Sequence, residues 1–161
     1  MRVERDYAGV APRGLWEVMT DLDFLLARSD RFGGRTEPTV DRGGGQVVVT
    51  TPRQIPLDDV PGPLRRYVGS GALVQTDTWG DVAGDHVSGE WTTDPGGMPA
   101  TLAGAHEIRA TPTGCRYVVT ATVKVHVPLI GGRLAGEVSK HVERLVRTEQ
   151  DFLAEWLDGQ G

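Results

Sequence analysis

CRYVVTATVKVHVPLIGGRLAGEVSKHVERLVRTEQDFLAEWLDG, residues 115–159, carries two different periods in succession. Tyr117, Val119, Ala121, Val123, Val125 and Val127 alternate with Val118, Thr120, Thr122, Lys124 and His126. A period of two, apolar on one side and mostly polar on the other, predicts a strand over 115–127 with one buried face. After Pro128 and Gly131-Gly132 the period changes. Leu134, Val138, Val142, Leu145, Glu149, Phe152 and Trp156 recur at intervals of three and four, which is one face of a helix. Asp158-Gly159 provides the stop. About 25 helical residues at ~1.5 Å each span about 37 Å, enough to cross a whole sheet. Together these two elements define an antiparallel sheet covered on one side by a single long helix.

The rest of the chain supplies the other strands. Residues 2–8 form a first strand, and Pro12–Thr20 a short helix with proline well placed at its start. Thr20 followed by Asp23 resembles a capping box opening a second short helix over Leu22–Arg28. Residues 35–42 and 46–55 flank Gly43-Gly44-Gly45 as a hairpin. Leu57–Gly71 breaks the strand pattern, with a short helix at Leu64–Val68 across one end of the sheet, packed on its edge. Its apolar Leu64, Tyr67 and Val68 beside Arg65-Arg66 would also suit a lid. Strands resume at Ala72–Trp79, His86–Thr93 and Thr101–Ala110, separated by glycine- and proline-bearing turns.

Composition sets limits on function. The 161 residues are 39% hydrophobic and 24% charged, ordinary for a soluble globular chain of one domain. The net charge is −5, and the 17 basic residues are scattered, with Arg65-Arg66 the densest pair. Nucleic-acid binding needs a basic face that releases counterions, so that class is excluded, as is a polybasic membrane anchor. No apolar run approaches the ~20 residues that span a bilayer, and no signal peptide is readable at the N-terminus, so cytoplasmic localisation is expected. Cys115 stands alone, without a disulfide or C-x-x-C partner. The serines lie outside any G-x-S-x-G, and His86, His106, His126 and His141 have no metal-ligand spacing. Neither a metal nor an organic cofactor is called for.

Four stretches carry a resemblance that extends over nearly the whole chain: Thr20-Asp21-Leu22-Asp23-Phe24-Leu25, Val74-Gln75-Thr76-Asp77-Thr78-Trp79, Val125-His126-Val127-Pro128-Leu129-Ile130-Gly131-Gly132 and Glu149-Gln150-Asp151-Phe152. With this order of elements the chain resembles the START-like (SRPBCC) superfamily of polyketide cyclases and lipid-transfer domains, and more narrowly a bacterial branch of unestablished function. The resemblance implies an α+β helix-grip fold: one domain over 1–161, with a seven-stranded antiparallel sheet curved around the C-terminal helix. It also implies an elongated cavity for an apolar ligand between sheet and helix, with the short helices and the 57–71 segment near its mouth. None of the four stretches is a catalytic signature, so function must be argued from the site.

Polar residues whose strand parity turns them inward are the candidates for that site. Leu102, Gly104, His106 and Ile108 share one face, which places His106 toward the helix. Val3, Arg5 and Tyr7 share another, so Arg5 points inward and needs a carboxylate, water or ligand anion, with Glu149 a conceivable partner. The bland readings are a hydrogen-bonded core histidine for His106 and a structural ion pair for Arg5. The expected cavity lining is Arg5, Tyr7, Trp91, His106, Ile108, Tyr117, Val119, Leu145 and Glu149, with no catalytic residue assigned. Small inner-face residues such as Gly104 suggest space that the helix does not fill. The preferred expectation is a binding protein for a small apolar or amphipathic molecule, lipid or aromatic and polyketide-like. Two alternatives stand beside it. One is a cofactor-independent cyclase or hydrolase with His106 or a nearby carboxylate as acid or base. The other is a protein-interaction module without ligand.

Overall fold

The computed structural model describes residues 1–34, 37–80 and 82–160. The elements run β1 (Arg2–Ala8), α1 (Pro12–Met19), α2 (Leu22–Arg31), β2 (Thr39–Asp41), β3 (Val47–Gln54), β4 (Ala72–Trp79), β5 (His86–Asp94), β6 (Ala100–Thr111), β7 (Gly114–Val125) and α3 (Gly131–Gly159). Two 3₁₀ segments, Leu57–Asp59 and Gly62–Tyr67, stand between β3 and β4 where a single short helix was expected. The start of the expected 35–42 strand, residues 35 and 36, lies outside the described residues, and pairing is confined to Thr39–Asp41.

All seven strands form one antiparallel sheet in the order β1-β7-β6-β5-β4-β3-β2. This is the helix-grip arrangement. The β6–β7 hairpin is its spine, paired from Ala100 opposite Val125 to Thr111 opposite Gly114. Because β1 and β2 are opposite edges, the chain must cross one end of the sheet between them, and α1 and α2 make that crossing. Pro52, opposite Val74 in the β3–β4 ladder, lies two residues beyond Thr50, where β2 stops pairing, and a proline there offers β2 no amide to continue the ladder.

The junction of the two short helices differs from the expected capping box. Thr20 closes α1, its hydroxyl donating to the Trp16 carbonyl at 3.0 Å. Asp21 is the N-cap of α2, its carboxylate accepting from the Asp23 and Phe24 amides at 3.0 and 3.3 Å. A carboxylate satisfies the orphan amides and matches the positive end of the helix dipole, which a hydroxyl does less strongly.

Gly104 also has a different role from the one expected. A Cβ there would come within 2.7 Å of the Trp91 indole nitrogen. The glycine lets the Trp91 ring lie across β6, so that Nε1 donates to the Thr120 carbonyl at 3.1 Å. Its space is filled by an aromatic side chain rather than left for a ligand.

The apolar interior falls into two clusters. The larger joins Tyr7, Leu15, Phe24, Leu25, Trp79, Ile108, Tyr117 and Leu153 around the C-terminal half of α3. The smaller joins Val60, Leu64 and Val68 of the 3₁₀ region to Leu134 at the start of α3. The 57–71 segment therefore packs on the helix and across one end of the sheet, as expected, and covers that end of the interior. Among the described residues no helix is long and apolar enough to cross a membrane.

Candidate functional site

Between the two clusters lies a cavity of about 690 Å³. The sheet contributes Val49, Trp79, Trp91, Leu102 and Val119 to its wall, and α3 contributes Val138, Val142, Leu145 and Leu153. Val60, Leu64, Tyr67 and Val68 roof it, and the C-terminal part of α2 with Arg28, Arg31 and Phe32 forms another side. Val142, Leu145 and Leu102 are only partly buried although they face inward, because the neighbours that would enclose them are missing on the cavity side. The interior face is hollow, and the volume lies within the range of pockets that enclose small organic molecules.

One region of the wall is polar. Arg53 Nη1 donates to Glu149 Oε1 at 2.6 Å, with both side chains largely buried. Burial pushes the Glu149 carboxyl up, but the charges of Arg53 and Arg28 and the Arg53 hydrogen bond outweigh it and hold the group below the usual carboxylate range. Beside this pair runs a chain of hydrogen bonds. Asp77 Oδ1 meets His106 Nε2 at 2.7 Å and accepts from Gln75 Nε2 at 2.8 Å, and His106 Nδ1 meets the Tyr117 hydroxyl at 2.8 Å. The imidazole stacks on Trp79 with centroids 4.8 Å apart. Burial also disfavours the Asp77 anion, yet the His106 hydrogen bond and the Arg28 charge keep its carboxyl below the ordinary range. Burial drives the Tyr117 phenol well above its ordinary value, so it remains protonated.

These protonation states define what the chain of bonds can do. A neutral His106 donates from Nε2 to Asp77 and accepts the Tyr117 proton at Nδ1. An imidazolium donates from both nitrogens and frees the Tyr117 hydroxyl to donate elsewhere. Asp77 thus orients the ring, and the ring sets whether Tyr117 offers a donor or an acceptor.

Of the residues expected to line a cavity, Trp91, His106, Tyr117, Val119, Leu145 and Glu149 stand on this wall. Arg5, Tyr7 and Ile108 do not. β1 is an edge strand, so the inward-turned Arg5 reaches past it and pairs with Asp151 on α3, not with Glu149. The Tyr7 hydroxyl is committed to the Gln150 carbonyl at 3.0 Å, within the solid cluster. Ile108 is fully buried in that same cluster, on a strand against which α1 packs. Sequence reasoning missed Arg28, Arg53 and Asp77. Arg53 shares parity with Val47 and Val49, and Arg28 follows Phe24 by one helical turn, so a signal existed for both. Cys115 is buried without a base beside it, and burial with the Asp6 charge pushes its thiol up to about 11, the condition of an inert cysteine.

A curved antiparallel sheet gripping one long helix, with a cavity between them, is the helix-grip architecture. The chain belongs to the family described as Protein of unknown function (DUF2505), which it matches over residues 3–157. It is 26% identical over 142 residues to the uncharacterized protein Rv0481c of Mycobacterium tuberculosis (strain ATCC 25618 / H37Rv), covering 86% of this chain and 78% of that protein. Among crystal structures it is similar to a conserved protein from Geobacillus kaustophilus, with TM-score 0.54 and 18% identity over 96% of this chain and 93% of the other. It is also similar to StfQ, the di-domain ARO/CYC of the steffimycin biosynthetic pathway, with TM-score 0.56 and 11% identity over 95% of this chain and 48% of StfQ. Identities this low speak for the fold alone.

Proposed function

We propose that residues 1–161 form one START-like domain that binds a small apolar or amphipathic molecule, a lipid or an aromatic, polyketide-like compound, inside the cell's cytoplasm. The observation that carries this reading is the cavity of about 690 Å³, apolar along most of its wall and polar at the Arg53–Glu149 and Asp77–His106–Tyr117 groups. Pockets of this composition bind by burying an apolar body and fixing its orientation through a few polar contacts. Similarity to StfQ is compatible with such a role and supports it at the level of the fold. The test is native mass spectrometry of the purified chain, followed by organic extraction. A co-purifying small molecule lost on extraction is the expected result. A chain that stays empty both as isolated and after exposure to lipid extracts and aromatic compounds would overturn the reading.

A second reading, a cofactor-independent cyclase or hydrolase, is favoured by one specific arrangement. Tyr117, His106 and Asp77 follow the order of proton donor, base and orienting carboxylate, on the wall of the same cavity. Any molecule recovered by extraction should then be converted on re-addition by the wild type and not by a His106→Gln variant that still binds it. Equal recovery of unchanged molecule from both proteins would dismiss catalysis and leave binding.

A further inference from the structure

We infer that Arg28 anchors the acidic head group of the ligand, so that the molecule bound is an amphipathic carboxylate whose apolar body lies along Leu102, Val142 and Leu145. This rests on the cavity-binding reading above. Two largely or partly buried arginines stand on the cavity wall, and they differ in how far they are committed. Arg53 has its carboxylate, Glu149, at 2.6 Å. Arg28 is half-buried and lines the same cavity, yet among the described residues it makes no ion pair. Its one side-chain hydrogen bond goes from Nη2 to the neutral Thr51 hydroxyl at 3.2 Å, and its Nε is buried without a partner among the described residues.

A guanidinium carries five N–H donors in a planar fork, and a half-buried one served by a single hydroxyl has donors to spare toward the cavity. The neighbouring carboxylates are within reach of its field but already engaged: Asp77 by His106 and Gln75, Glu149 by Arg53. Arg31, three residues on along α2, also lines the cavity, and it too has no ion pair among the described residues. It is exposed, with its guanidinium 5.6 Å from the centre of the Phe32 ring. Residues three apart share a helix face. Hence α2 presents to one cavity two guanidiniums that have no ion pair among the described residues. A carboxylate is the planar acceptor that fits the fork of an arginine with two parallel bonds, and a lone hydroxyl or ester carbonyl supplies only part of that.

The experiment compares dodecanoate, dodecanol and methyl dodecanoate, which share a chain and differ in the head. Binding is followed by isothermal titration calorimetry and by the fluorescence of Trp79 and Trp91, both on the cavity wall. The wild type should bind dodecanoate about tenfold or more tightly than either neutral analogue, the scale of a charge-assisted hydrogen bond. Arg28→Met should remove that preference while keeping affinity for dodecanol, and Arg28→Lys should retain part of it. Equal binding of all three by the wild type would overturn the inference and leave the cavity reading standing, without requiring any variant to fold. A preference that survives in Arg28→Met would overturn it as well. Binding of none of the three would overturn the inference, while the cavity reading would still be decided by extraction and by exposure to aromatic compounds.

Discussion

The two halves of α3 obey the same period and have opposite interiors. Toward its C-terminus, Phe152 and Trp156 close on Phe24 of α2 with ring centroids 5.8 and 5.7 Å away, and Leu153 is 2% exposed. Toward its N-terminus, Val142 and Leu145 face the sheet from the same side of the helix but border the cavity. The difference is what stands opposite. At the solid end Leu15, Met19, Phe24 and Leu25 of α1 and α2 fill the space between helix and sheet, and the last three, with Leu153, form that end of the cavity wall. Farther along, no such plug exists among the described residues, and the 3₁₀ segments with Val60, Leu64 and Val68 cover the space without filling it. Helical periodicity fixes which side chains face inward. Whether the interior is solid depends on the volume supplied by the elements that cross it.

The largest effect that would sharpen this contrast is expected at the solid end. Phe24→Ala should lower stability by about 3–5 kcal/mol, since it removes a buried ring from the aromatic group that closes this end of the cavity. Urea unfolding measures it. A loss below about 1 kcal/mol would mean that the α2 aromatic is not what makes this end solid.

Breaking the polar part of the cavity wall ranks next. Arg53→Met leaves Glu149 without its close partner, and about 2–4 kcal/mol is expected after allowance for the 15% and 17% side-chain exposure that admits some solvent screening. Linkage fixes the pH dependence. The folded Glu149 carboxyl lies below its unfolded value of about 4.3, so its contribution is present above that pH and is lost as pH falls through the folded value. Without Arg53, burial raises the Glu149 carboxyl, so the stability gap between wild type and Arg53→Met should be widest near neutrality and narrow as acid protonates Glu149 first in the variant and then in the wild type. A gap that stays constant from pH 7 to about pH 3 would show that Glu149 is not the group left unpaired.

The same contrast explains what the amino-acid order could disclose. Strand parity made β7 readable, and the run Leu102, Gly104, His106, Ile108 turned His106 toward the helix, where it lies. Parity was weaker in β4, because Leu73, Gln75, Asp77 and Trp79 are as mixed in polarity as Val74, Thr76 and Thr78. The inward carboxylate of Asp77 was hidden by that mixture. Arg53 and Arg28 were legible in principle, on the faces of Val49 and Phe24, but a charge on an apolar stripe has meaning only once its partner is located, and Glu149 is 96 residues from Arg53. The partner of Arg5 stayed open for the same reason, since Glu149 and Asp151 are two residues apart on one helix and only the path of β1 along the sheet edge selects Asp151 for its ion pair. Hollowness was not legible at all. Gly104 suggested room, and the structure fills it with Trp91, while the cavity lies against larger residues such as Leu102 and Leu145.

The smallest effect on stability comes from the hollow end and separates the two halves most directly. Leu145 is half-buried, with cavity on one side, so Leu145→Ala removes few of the contacts that a close-packed leucine makes and should cost about 1 kcal/mol, below the ~2–5 kcal/mol usual for a solid core. Val142→Phe reverses the change by placing a ring into existing space. Because no packed neighbour must move, its stability should stay within about 1 kcal/mol of wild type, whereas overpacking a filled core costs ~1–3 kcal/mol. Binding responds differently: the phenylalanine occupies volume a ligand would need, so dodecanoate affinity should fall sharply in Val142→Phe and only modestly in Leu145→Ala. Urea unfolding and calorimetry on the two variants give both quantities. If Val142→Phe were strongly destabilised while Leu145→Ala cost as much as Phe24→Ala, the N-terminal half of α3 would be as tightly packed as the C-terminal half, and the distinction between them would fail.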